Sequence, residues 1–138
     1  MKKSKANSST KKTASPAEDK KSLSSTLAKA LLLIQQVRSV EKDITAKIDG
    51  VEKKLTKAKT EKDKMNYVLE IEALRFNFYK VLEKEYQELS PLFGDIYDCA
   101  TRIGGPVSAT LDVMYNSISK GIDLALLEKQ CEQMQKQL

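Results

Sequence analysis

The 138-residue chain contains no histidine, so the groups able to do chemistry are its carboxylates, lysine amines, hydroxyls and two thiols. General acid-base catalysis near neutral pH draws on His or on carboxylates held in apolar clefts, and nucleophilic catalysis needs a base beside the nucleophile. Glu70, Glu72, Glu83, Glu85 and Glu88 instead lie among lysines, the arrangement of solvated helix flanks. Asp95 and Asp98 are three residues apart, a common spacing that falls far short of a calcium loop. Cys99 and Cys131 form no C-x-x-C pair, and without histidine they complete no zinc site. Two isolated thiols read as small buried hydrophobes rather than a disulfide. No Walker loop, dinucleotide fingerprint or G-x-S-x-G turn occurs, and Gly104-Gly105-Pro106 reads as a hinge or helix stop. The expectation is a non-enzyme with no catalytic residue, no metal, no cofactor and no small-molecule ligand.

Charge is the next signal, and its position is more telling than its size. Lys2, Lys3, Lys5, Lys11, Lys12, Lys20 and Lys21, set against Glu18 and Asp19, account for the whole formal charge of +5. The rest of the chain holds equal numbers of basic and acidic residues, with a local lysine concentration from Lys53 to Lys64. These seven lysines are candidates for weak, non-specific contact with a polyanion: nucleic acid, an acidic protein tail or an anionic membrane. Lysine without arginine or interleaved aromatics argues against sequence-specific nucleic-acid recognition. Ser15, followed by Pro16, is a phosphorylation candidate, and a phosphate there would remove about 1.5 to 2 units of positive charge.

The elements that carry these groups follow from hydrophobic spacing. Residues 1–21 show no apolar periodicity and are expected to form a disordered basic arm. Leu23, Leu27, Leu31, Ile34 and Val37 recur at steps of three and four, and the stripe resumes at Ile44, Ile48, Val51, Leu55 and Ala58. It crosses Asp49-Gly50 without losing phase, so one helix is expected over about 22–60. Apolar content falls away near Lys59–Asp63, where the chain reverses if it reverses at all; a single rod over 23–90 remains open. Tyr67, Ile71, Leu74, Phe78, Val81, Leu82 and Leu89 mark a helix over 63–90, which Ser90-Pro91 is expected to halt. A short helix over 91–103 and a last one over 106–137, bending or changing partners at Gly121, complete the chain. The fold class is all-α: an antiparallel helical bundle or hairpin with coiled-coil-like packing.

Function then rests on the stripes. Leu27, Leu31, Ile34, Ile44, Ile48, Val51, Leu55, Ile71, Leu74, Phe78 and Leu82 are candidates for partner binding, together with Phe76 and Tyr79, which lie off the main stripe. The run Val40-Glu41-Lys42-Asp43-Ile44, with Glu72-Ala73-Leu74 and Tyr79-Lys80-Val81-Leu82-Glu83, is loosely similar to the first two helices of BAG-type co-chaperone bundles. The last helix lacks the basic and glutamine pattern with which that family grips its Hsp70 partner, and generic helical composition accounts for the likeness. The expected role is a subunit or adaptor binding other helical proteins or itself, as a homo- or hetero-oligomer. The alternatives are a polyanion-binding helical protein and a small helical co-chaperone or secreted effector. No apolar run approaches the roughly 18 residues of a membrane span, and an intracellular location, cytoplasmic or nuclear, is expected.

Overall fold

A computed structural model describes residues 16–138. They form four α-helices, α1 (Pro16–Lys57), α2 (Glu61–Ile103), α3 (Gly105–Ser119) and α4 (Leu124–Lys136), with no strand among the described residues. Contacts divide them into two compact units, one holding residues up to Leu32 together with Ser90–Leu138, the other Leu33–Leu89.

In the first unit, the start of α1, the end of α2, α3 and α4 bury one apolar face each. Leu23, Leu27, Ala30 and Leu31 come from α1, Ile96, Cys99 and Ala100 from α2, Val107, Leu111 and Met114 from α3, and Leu127, Cys131 and Met134 from α4. Each set repeats at steps of three and four, as a helix with one face in a core requires. Polar ties join α3 to α4: Gln130 Nε2 donates to Ser117 Oγ at 3.1 Å, and Thr110 Oγ1 lies 3.0 Å from Gln137 Oε1.

In the second unit the chain reverses between Lys57 and Glu61, at the polar stretch where hydrophobicity runs out. Ala58 N donates to Leu55 O at 3.2 Å, closing the last turn of α1, and Thr60 Oγ1 accepts from Asp63 N at 3.1 Å at the start of α2. The two helical stretches share one compact unit, which excludes the single rod. Gly50 stays inside α1, as the unbroken phase of the stripe predicts.

Three boundaries differ from expectation. Pro16–Lys21 are helical, so they belong to α1 rather than to an arm. Glu18 and Asp19, acidic residues in the first described turn, suit the positive end of a helix dipole, and Asp19 is itself buried. Residues 1–15, with Lys2, Lys3, Lys5, Lys11, Lys12 and Ser15, lie outside the described residues. Helix α2 runs through Ser90-Pro91 instead of stopping. Proline removes only the amide bond to residue 87, and Gln87, Ser90 and Pro91 are all exposed, so water can satisfy the freed carbonyl. Buried Leu89 and Ile96 hold both sides of the proline to the helical phase. The last helix is two: Gly121 adopts φ +126°, and the Asp123 carboxylate caps α4 by accepting from Leu126 N at 3.1 Å.

At the α2–α3 junction Gly104 has φ +72° and ψ −163°, a region essentially reserved for glycine, and Pro106 sits in the first turn of α3. A Cβ on Gly104 or on Gly50 would meet nothing within 4 Å, so backbone conformation alone sets the cost. Gly104→Ala is expected to destabilise the protein by about 1–3 kcal/mol. Gly50→Ala, in an exposed helix interior, is expected to stabilise it by about 0.5–1 kcal/mol. Denaturant midpoints of the two variants check both signs.

Candidate functional site

Two features bring chemically capable side chains together, one in each unit. In the first unit Asp19, 5% exposed on α1, meets Arg102 near the end of α2. Arg102 Nε and Nη2 donate to Asp19 Oδ1 at 3.1 and 3.0 Å, and Nε also reaches Oδ2 at 3.2 Å. This fork geometry is the strong form of a carboxylate-guanidinium pair. The hydrogen bond to Asp19 raises Arg102 further above its already high ordinary value. A cleft of about 590 Å³ opens beside the pair, lined among others by Lys20, Gly104, Gly105 and Gln137. Its guanidinium is already engaged by Asp19, so the arrangement joins α1 to α2 rather than presenting a free anion-binding fork. Lys20 and Lys21 lie exposed on the same first turns of α1.

Asp19→Ala should cost about 1–2 kcal/mol, the lower range for a charged hydrogen bond because Arg102 reaches solvent. Arg102→Ala should cost at least as much, because it leaves a buried carboxylate without its partner. Thermal unfolding at neutral pH orders the two.

Neither cysteine is paired, and both are buried. Cys99 Sγ lies 3.8 Å from Ser22 Oγ and 3.5 Å from Arg102 Nη2. Cys131 is fully enclosed, and burial, with smaller contributions from Glu132 and Glu128, pushes its thiol up to about 12. A thiolate is the reactive form, so the folded chain holds Cys131 inert. Because the folded value lies above the ordinary 9.0, the contribution is complete below pH 9. It is lost as pH rises toward 12, at up to about 1.4 kcal/mol per pH unit. Native protein at pH 8 should therefore leave Cys131 unmodified by a thiol reagent that labels it fully in denaturant, as peptide mass spectrometry would read.

The second feature is a face of α2. Within the second unit Val51 and Ile71 are buried, whereas Ile44, Ile48, Leu55, Tyr67, Leu74, Phe78, Val81, Leu82 and Tyr86 are half-buried. These residues form the inner seam between the two helical stretches. Partial burial, with a smaller contribution from the Glu41 carboxylate, raises Tyr86 above the ordinary phenol value. Glu85 also lies on the seam, and its Oε2 is buried without a hydrogen-bond partner.

On the outer side, Met65 is 58% exposed, Leu69 58%, Phe76 58% and Tyr79 62%, with Val68 beside them. The positions 65, 69, 72, 76 and 79 step by 4, 3, 4 and 3, so they fall on one helix face, interrupted only by Glu72. Glu72 is held by Arg75 at 2.9 Å, which neutralises the one charge on the line. Lys80 Nζ stands 4.8 Å from the centre of the Phe76 ring, and the Phe78 and Tyr79 rings are 6.5 Å apart. The face is therefore apolar, aromatic at one end and edged with charge.

Of the residues that sequence spacing offers for partner binding, Leu27, Leu31, Ile34, Val51 and Ile71 are buried within the chain. Ile44, Ile48, Leu55, Leu74, Phe78 and Leu82 are half-buried in the seam. Phe76 and Tyr79 alone are more than half exposed. Met65, Val68 and Leu69 complete their face and escape a reading that follows only the dominant stripe, although their offset repeat at three and four was the available signal. Among the described residues no cluster of three or more His, Cys, Asp or Glu is placed to hold a metal ion, and no helix is long and apolar enough to cross a membrane. No known protein family matches the chain, and no curated protein or solved structure is significantly similar to it.

Proposed function

We propose that the chain is a non-catalytic helical interaction subunit, which assembles by coiled-coil-like packing of the outer face of α2 against another helix. The observation that carries this reading is the line of Met65, Leu69, Phe76 and Tyr79, large apolar side chains each more than half exposed on one face. Isolated exposed hydrophobics are ordinary, but a contiguous apolar line with helical repeat and a charged rim is the pattern of a docking surface. Aromatic residues supply the contact area of most interaction hot spots, and Phe76 and Tyr79 are adjacent on this face. Burying a side chain of this kind is worth about 1.5–3 kcal/mol, enough for four of them to dominate an interface. Two buried, unpaired thiols suit a reducing compartment, and the basic N-terminal stretch is read as a modulatory attachment.

In cell extracts the tagged chain is expected to migrate in an assembly larger than its own 15.5 kDa. A Phe76→Glu/Tyr79→Glu variant is expected to run as the free chain with an unchanged helical circular-dichroism signal, because both residues are exposed and contribute little to the fold. Wild type and variant both migrating as the free chain would refute a docking role for this face.

A further inference from the structure

We infer that the helix received by this face is a second copy of α2, the two outer faces meeting antiparallel about a two-fold axis beside Glu72. This rests on the docking role proposed above and specifies the partner. The first argument is charge. Beyond the apolar line the same face carries Glu61 and Lys62 at one end and Lys80 and Glu83 at the other, all exposed. An antiparallel partner centred near residues 72–73 sets Lys62 opposite Glu83 of the other copy, twice by symmetry. A parallel partner would set Lys62 on Lys62, Lys80 on Lys80 and Glu83 on Glu83. Opposite charges at the rim select register, and like charges exclude it.

The second argument is the shape of the line itself. Its aliphatic end is Met65, Val68 and Leu69 and its aromatic end is Phe76 and Tyr79. The same two-fold arrangement lays Leu69 on Phe76 and brings Met65 within one residue of Tyr79, so rings meet flexible aliphatic and thioether groups rather than one another, contacts that sulfur and ring make favourably. Glu72 falls beside the axis, and its exposed ion pair with Arg75 reduces the repulsion two copies would otherwise feel there.

The third argument is area. Two aromatic and three aliphatic side chains, roughly half exposed, present on the order of 500 Å² of apolar surface, and their charged flanks bring this toward the roughly 800 Å² that a stable interface takes from each partner. An isologous pairing uses one patch twice and therefore closes without leaving a second face to match.

The test uses the full-length purified protein. Light scattering at micromolar concentration is expected to give about twice 15.5 kDa. Phe76→Glu is expected to weaken dimerisation at least 100-fold with the helical signal unchanged. Lys62→Glu is expected to weaken it about threefold to tenfold, and Lys62→Glu/Glu83→Lys to restore it. Under mild oxidation Glu72→Cys should self-link into a dimer, Lys62→Cys alone should not, and a mixture of Lys62→Cys and Glu83→Cys chains should. A wild type that stays monomeric at 100 µM, or about that level, overturns the inference while leaving the docking role standing if the cellular assembly still depends on Phe76 and Tyr79. Self-linking of Lys62→Cys would mean parallel pairing and overturns it too. A dimer indifferent to Phe76→Glu overturns it as well, and the docking role then stands or falls with the dependence of the cellular assembly on Phe76 and Tyr79.

Discussion

A helix longer than 40 residues has one apolar stripe and little intrinsic stability in water, so everything in this chain depends on finding cover for two such stripes. Helices gain most of their stability from packing an amphipathic face, not from propensity. In α1 the line from Leu23 to Val37 is buried, and beyond it the cover thins to half-buried seam residues with Val51 as the exception. In α2 the buried positions are Ile71, Leu89, Ile96, Cys99 and Ala100. The first unit solves the problem with four helical faces around one core. The second has only two helical stretches, and the outer line on α2 is exposed.

Polar chemistry serves the same end. The Asp19–Arg102 pair ties residues 83 positions apart in sequence, and its bidentate geometry fixes where the first turn of α1 meets the last turn of α2. Tyr115, edge-on to Tyr97 with centroids 5.6 Å apart, donates to Phe93 O at 3.0 Å and pins α3 to α2. Burial is the main cause of its raised value, and a phenol kept protonated is what donating that bond requires. Both groups join helices: the ion pair ties α1 to α2, and the tyrosine ties α3 to α2.

Much of this architecture is legible from spacing. The all-helical class, the unbroken passage through Gly50, the stop at Gly104-Gly105-Pro106 and the special role of Gly121 all follow from residue type and phase. The start of α1 was hidden because its decisive contact, Asp19 with Arg102, is non-local and no window along the chain contains both. Pro91 misleads for a related reason: local propensity counts the lost amide bond, while buried Leu89 and Ile96 keep the helix in line. The outer face of α2 is legible only in part. Phe76 and Tyr79 stand out as aromatic residues off the stripe, but Met65, Val68 and Leu69 look like ordinary members of an apolar helix until their exposure separates them from the seam.

The division into units also bears on how the chain acquires its structure. Leu33–Leu89 is one uninterrupted stretch closed by a three-residue reversal, so its contacts are local and low in contact order. The other unit is assembled from two separated stretches, and joining them requires closing a long loop with its entropic cost. Formation of the contiguous hairpin shortens that loop, because Leu33–Leu89 is then one compact unit in place of an open chain. On a ribosome, where the N-terminal portion emerges first, the residues of the hairpin are exposed before those of α3 and α4, which the discontinuous core needs.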